Sequence, residues 1–425
     1  MPNQIRGLNY YRVTLKTETA PPTVDDGGLA HDLEAGGIQN LFVLAHGWNA
    51  TLQYAESLYQ DMFGRLAGQL GTHLGTSAAV GVFWPAAVFP EDDPATPQGA
   101  AGTPPTGTEL ADTLAIIFPH PDQQADLKRL GYLLDKQPHD PARLSEFYSI
   151  MARLVNGQLG ADDDSGQPIT GGFDPVAVFG LYPAANRQPP APHELHGLPD
   201  PFVTLWHWAR EVLRILSYYV IKARAGDLGE HLLGSFIANL PTGVRVHLMG
   251  HSFGARLVSF ALRPQAPGSD SRVKSLLLIQ GAFSHFAFAK PSPIDTEHDG
   301  GLADCRDRVD GPFLATFSAA DRALSWWYPL ATSLAHHDTP LGAERTYQWG
   351  AVGHDGYQQA GAIEQPLLDR GSRYTFGNDQ FYRLNANAVI ADIKKHPLFG
   401  AHSDICHDQI LWAAINAAGL QTAQP

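Results

Sequence analysis

Short apolar runs alternate along this chain with longer stretches in which apolar residues recur every three or four positions. The runs are Asn40-Leu41-Phe42-Val43-Leu44-Ala45, Ala79-Val80-Gly81-Val82-Phe83-Trp84, Val244 to Met249, Ser275-Leu276-Leu277-Leu278-Ile279-Gln280 and Phe313-Leu314-Ala315-Thr316-Phe317. Runs of this length read as strands, and strands without polar alternation belong in a sheet covered on both faces. Tyr10 to Leu15 does alternate and reads as an edge strand, while Tyr374 to Leu384 supplies a last one. Helical spacing is found in Leu52 to Leu70, Trp206 to Ala223 and about Asp408 to Ala418. Strands alternating with helices predict an α/β fold, with a mainly parallel central sheet and helices on both faces.

The rhythm breaks between about residues 90 and 200. A Pro/Gly/Thr-rich stretch, Pro94 to Gly107, opens this interval and another, Tyr182 to Pro201, closes it. Two helices, Leu110 to Phe118 and Ala142 to Leu154, lie between them, separated by polar turns. Structureless loops of such length are uncommon in compact domains, so an inserted helical element is expected, either a cap or a surface excursion without a role. The whole chain, 1–425, reads as one domain carrying that insertion.

Composition narrows the class. The content is 44% hydrophobic and 10% aromatic, as in a globular protein. A formal net charge of −14 repels phosphate backbones and anionic membranes, so a nucleic-acid partner is not expected. The first residues lack the apolar core of a secretory signal, and no window is apolar for long enough to span a membrane. Cys305 and Cys406 form neither a disulfide framework nor a metal-ligand spacing, and a single bond between them stays open. A cytoplasmic location is the resulting expectation.

The chemistry is concentrated at Gly250-His251-Ser252-Phe253-Gly254, which follows an apolar strand and opens a helix-forming segment. This is the G-x-S-x-G nucleophile elbow in the strand-turn-helix setting it requires. Its glycines are needed because a Cβ there collides with the neighbouring strand or helix. The turn exposes the Ser252 hydroxyl and aims the N–H of Phe253 toward the same point. A serine hydroxyl near neutral pH needs a base within hydrogen-bond reach and a carboxylate to orient that base. On such an elbow both follow the serine along the chain.

The carboxylate candidate is Asp321, which follows the run Phe313–Phe317 through the turn Ser318-Ala319-Ala320. It sits just past the carboxyl end of a strand, although an aspartate there also suits the N-cap of a helix over Arg322 to Trp326. Asp299, Asp304, Asp338 and Asp355 lie in polar loops with no preceding strand. The base candidate is His402, in the Gly-containing loop before the C-terminal helix, with His407 as its rival. Upstream, His46-Gly47-Trp48 follows the strand Asn40–Ala45, where the N–H of Trp48 joins that of Phe253 as a second oxyanion donor. His46 itself suits a role in tying down that loop.

Taken together, the Leu44–Asn49 loop, the G-H-S-F-G elbow, Asp321 and His402 resemble the α/β-hydrolase superfamily over most of the chain outside about 90–200. Within it, His-Gly-Trp followed by Gly-His-Ser-Phe-Gly is similar to serine esterases and lipases. The elbow serine argues against haloalkane dehalogenases and epoxide hydrolases, which carry aspartate there. The resemblance implies a Ser252–His402–Asp321 triad, an oxyanion hole from Trp48 and Phe253, an acyl-enzyme intermediate and a small-molecule ester or related acyl substrate. Amidases, peptidases, thioesterases and acyltransferases share the same residues and stay open as alternatives. A hydrolase-fold binding protein that has lost catalysis is the alternative of another class, but such proteins usually lack a triad member or the elbow glycines.

No other chemistry is implied. His336-His337-Asp338 and the His402/His407 pair match no zinc spacing, and neither a phosphate loop nor a dinucleotide fingerprint occurs, so neither metal nor organic cofactor is expected. Trp326-Trp327-Tyr328 and Trp206-His207-Trp208 read as core or cap packing.

Overall fold

In the strand Asn40–Ala45, Leu41, Val43 and Ala45 enter one apolar cluster while Phe42 and Leu44 enter another. This alternation, with all six residues buried, is what a strand covered on both faces requires. The computed structural model describes residues 3–17, 21–86, 106–115, 117–118, 120–156, 164–167, 206, 217–329, 347–394 and 400–421. Its strands are β1 (Asn3–Ile5), β2 (Leu8–Lys16), β3 (Thr23–Asp25), β4 (Asn40–Ala45), β5 (Ser77–Phe83), β6 (Arg245–His251), β7 (Val273–Ile279), β8 (Phe313–Phe317), β9 (Ile363–Pro366) and β10 (Phe381–Asn385). They form one sheet in the order β1-β2-β5-β4-β6-β7-β8-β10-β9, with β3 also paired to β2. Every pairing from β2 to β9 along that order is parallel; β1 and β3 are antiparallel to β2.

The molecule is thus an α/β protein with a mostly parallel central sheet. Helices Leu52–Ala67 and Asp408–Ala417 bury Leu58, Met62, Phe63, Ile410, Leu411 and Ile415 against one face. Helix Phe253–Phe260 and the helical stretch 217–238 lie on the other, through Leu257, Val258, Ile221, Leu228 and Ile237. Among the described residues, no helix is long and apolar enough to cross a membrane.

Three expectations need correction. β2 is not an edge strand, because β1 and β3 cover the side that β5 leaves open. Its alternation instead reflects the incomplete cover over Arg12, Thr14 and Lys16, which share one face. The last strand starts only at Phe381, and β9 lies outside it. Between the two helices expected in the insertion, observed at Gly107–Ala115 and Pro141–Asn156, stands a third, Pro121–Lys136. Its proline suits the first turn, and the buried Leu127, Leu130, Leu133 and Leu134 form a narrow helical stripe within a polar segment.

These helices join the apolar cluster on the β4–β6 face through Leu110, Leu114, Leu130, Phe147 and Met151. Further along, Asp164 is buried against Arg256, whose Nε and Nη2 stand 3.0 and 2.9 Å from its Oδ1. Arg256 lies on the helix that follows Ser252, so the insertion is tied to the body beside the elbow. Most of the expected cap, including 168–200, lies outside the described residues.

Candidate active site

The chain leaves β4 for β5 on one side and later returns to β6 on the other, so strand order reverses at the β4/β6 pair. In open parallel sheets the crevice at the carboxyl end of such a reversal collects ligands, since the connections there diverge. His46-Gly47-Trp48 follow β4 and Ser252 follows β6 at this point. Gln280 follows β7, and Asp321 stands four residues past β8.

Ser252 has φ 56° and ψ −123°, a backbone conformation that costs a side-chain-bearing residue about 1–3 kcal/mol. The surroundings hold it there. Its N–H donates to the Ile279 carbonyl at 3.2 Å, and its own carbonyl accepts from Ala255 and Ala282 at 3.0 and 3.1 Å. A Cβ on Gly254 would stand 2.2 Å from the Ala45 carbonyl oxygen, and one on Gly250 2.3 Å from that of Gly254. The strand and the helix therefore meet at van der Waals distance only because both positions are glycine.

The Ser252 hydroxyl lies 2.9 Å from Nε2 of His402, and Nδ1 of His402 lies 2.7 Å from Oδ2 of Asp321. With the carboxylate accepting, Nδ1 carries the proton and Nε2 is left to accept from the hydroxyl. Asp321 is fully buried, whereas the His402 side chain keeps 13% of its surface exposed. Oδ1 of Asp321 accepts from the Leu324 N–H at 3.1 Å. The carboxylate thus caps the following turn with one oxygen and accepts from His402 with the other.

The loop bearing His402 docks directly on the loop bearing Asp321. Gly400 has φ 61° and lies so close that a Cβ would stand 2.4 Å from the Ala320 carbonyl oxygen. That carbonyl accepts from the Ala401 N–H at 3.0 Å. Asp404, two residues on, accepts from the N–H groups of Ala391 and Asp392 and from Nε2–H of His407 at 3.0 Å. His407 is held by Asp404, while His402 is the histidine that meets the serine.

On the side of β4, a Cβ on Gly47 would stand 2.7 Å from Cβ of Ser252. The Gly47–Trp48 backbone therefore lies against the serine. Neither the Trp48 N–H nor the Phe253 N–H reaches a backbone carbonyl among the described residues; Phe253, at the first helical position, has no intrahelical acceptor. His46 fixes this loop: its Nδ1–H donates to the Gly47 carbonyl at 2.9 Å and its backbone N–H to the Tyr59 hydroxyl at 3.0 Å. Tyr59 in turn donates to the Val82 carbonyl at 2.6 Å. Burial pushes the His46 imidazole down to about 4, so it is neutral. The rings of Trp48, Tyr218, Phe253 and Tyr328 pack edge-on or tilted beside the elbow, with the Tyr218 and Phe253 centroids 4.9 Å apart.

Two residues of the site were not singled out from the sequence. Gln280 donates from Nε2 to Oδ2 of Asp321 at 2.9 Å and to the Gly353 carbonyl at 3.2 Å, and its Oε1 accepts from the Thr316 hydroxyl. The available signal was a polar residue ending an otherwise apolar strand. The other is His251, the first variable position of the elbow, whose Nε2 lies 3.0 Å from the His402 carbonyl oxygen. Of the remaining acidic candidates, Asp355 pairs with His285 at 2.8 Å, Asp299 with Lys290 at 3.8 Å, and Asp304 lies beside Cys305. Asp338 lies outside the described residues, as do His207, Trp208 and the stretch 336–337.

Cys305 and Cys406 are not joined to each other. Among the described residues, no group of three or more His, Cys, Asp or Glu is arranged to hold a metal ion. No family model, curated protein or solved structure matches the chain.

Proposed function

We propose that this protein is a serine hydrolase of the α/β-hydrolase type that cleaves a carboxylic ester or related acyl bond. The observation that carries the reading is the unbroken chain from the Ser252 hydroxyl through His402 to the buried Asp321, with separations of 2.9 and 2.7 Å. The backward-strained serine at a strand-order reversal supports it, as does the Gly47–Trp48 backbone against it.

In this reading Ser252 Oγ attacks the acyl carbon while His402 Nε2 takes the hydroxyl proton. Asp321 holds the ring in the Nδ1–H tautomer and stabilises the imidazolium that forms. The N–H groups of Trp48 and Phe253 bind the developing oxyanion, and one such donor contributes about 10²–10³ in rate. The tetrahedral species then collapses: His402 returns the proton to the leaving alkoxide, the C–O bond breaks, and the acyl group stays on Ser252. Water, deprotonated by His402, attacks the acyl-enzyme, and the acid and free serine are regenerated. Every proton is carried by His402, so the scheme requires no metal or organic cofactor. The insertion tied to the elbow helix through Asp164 and Arg256 would then border the acyl pocket.

The test is turnover of a panel of p-nitrophenyl esters, anilides and acyl thioesters by wild type and Ser252→Ala. Ester hydrolysis lost in the variant supports the reading. Turnover of anilides alone would replace an esterase by an amidase, and equal turnover by both proteins would overturn it.

A further inference from the structure

His251 touches both halves of the candidate machinery, although it belongs to neither the serine–histidine–aspartate chain nor the oxyanion loop. Its ring lies 4.9 Å, centroid to centroid, from that of His402, and its Nε2 lies 3.0 Å from the His402 backbone oxygen. A Cβ on Gly47 would meet its Nδ1 at 3.2 Å, so the opposite edge of the ring faces the oxyanion loop. The ring is therefore a spacer between the loop that presents His402 and the loop that presents Trp48, and it is carried on the strand that presents Ser252.

We propose that His251 is a positioning residue for the reaction at Ser252: its Nε2–H holds the His402 backbone at the height from which the imidazole reaches the serine hydroxyl. This inference rests on the hydrolytic reading of the site. A carbonyl oxygen only accepts, so Nε2 must carry a proton. Nδ1 is buried and has no hydrogen-bond partner among the described residues, so a second proton there would add an unpaired N–H and a charge in a desolvated place. The ring is thus the neutral Nε2–H tautomer, and burial, with His402 and His46 beside it, holds its imidazole down at about 3. The titratable groups acting on it are His402 from the loop before the last helix and His46 from the loop after β4. Neutrality has a purpose in the cycle, because a cation 4.9 Å from His402 would oppose the imidazolium that His402 becomes.

A ruler of side chains tests this. Glutamine places its amide nitrogen near the position of Nε2, asparagine nearer that of Nδ1, and leucine fills the space without a donor. Against a p-nitrophenyl ester, His251→Leu and His251→Asn are expected to lose about tenfold to a hundredfold in kcat with KM little changed, since a base misplaced by about 1 Å loses that much. His251→Gln should recover most of the loss. Thermal melting of each variant separates this from unfolding, because a merely structural role would leave kcat of the folded fraction unchanged and give Gln no advantage. Equal kcat in all three folded variants and wild type would overturn the proposal. A second readout needs no turnover: in wild type with ¹⁵N-labelled histidine, the His251 ring should remain the neutral Nε2–H form between about pH 5 and about pH 8. A ring that titrates in that window, or carries its proton on Nδ1, overturns the assignment. Ser252→Ala, assayed alongside, reports separately on the hydrolytic reading, since loss of that reading leaves the tautomer measurement standing.

Discussion

A methyl group on Gly47 would stand 2.7 Å from Cβ of Ser252, closer than two carbons can approach without one of them moving. The Gly47–Trp48 loop and the Ser252 turn are thus packed directly on each other, and the side that must yield is the loop. Gly47→Ala should fold, yet lower kcat by about 10²–10³-fold through displacement of the Trp48 N–H. Kinetics with a small ester, beside a circular dichroism spectrum matching wild type, checks this. An unchanged kcat would remove Trp48 from the oxyanion hole.

Asp321 is asked to do two things with two oxygens, and a single substitution separates them. Asp321→Asn keeps an acceptor for the Leu324 N–H but puts an amide where His402 needs a carboxylate. The expected loss is about 10⁴-fold in kcat with little change in melting temperature. Asp321→Ala should add a stability loss of about 1 kcal/mol from the missing cap. Chemical denaturation and kcat measured on both variants check the division.

The two C-terminal histidines are expected to diverge. His402→Ala should lower turnover by about 10⁴–10⁶-fold. His407→Ala should retain most of its turnover, because that ring is engaged with Asp404 and has no contact with Ser252 among those described. The loop is anchored independently by the bonds of Asp404 to Ala391 and Asp392. The reverse order of activities would exchange the roles.

Acid should destabilise the fold well before its carboxylates are neutralised. Burial holds His46 at about 4 and His247 and His251 at about 3, against 6.5 in an unfolded chain; Arg245 and Lys274 add to the effect at His247, and His402 at His251. As pH falls below about 6.5 the unfolded chain takes up protons that the native one refuses, so stability declines, by up to about 1.4 kcal/mol per pH unit for each histidine. Above about pH 8 these groups are neutral in both states and contribute almost no slope. Urea midpoints measured from pH 7.5 down to pH 5 check this, and a flat profile would contradict it.

How much of this was legible follows from the range of the forces involved. β4 and β8 read directly as strands because burial on both faces leaves them almost wholly apolar, with Asn40 and Thr316 as their polar members. Ser252 was legible because the elbow is local, with its glycines and serine consecutive in the chain. Asp321 and His402 were legible only from chain order and from the strand end and Gly-containing loop that carry them, and their pairing depends on the Gly400–Ala320 contact, which no local pattern encodes. Gln280 and His251 escaped notice for the same reason: each acts through a partner more than 40 residues away. The helix Pro121–Lys136 was hidden by its polar character, since four leucines are enough to seat it against its neighbours.

The central claim is that Ser252 is an activated nucleophile, and covalent labelling by a fluorophosphonate probe tests it most directly. The probe reacts with a serine whose proton is withdrawn by a correctly placed base. Wild type should be labelled at Ser252, with the modified peptide identified by mass spectrometry, while Ser252→Ala stays unlabelled and His402→Ala reacts far more slowly. Wild type that remains unlabelled under conditions that label a control esterase, or Ser252→Ala labelled as fast as wild type, would contradict the account.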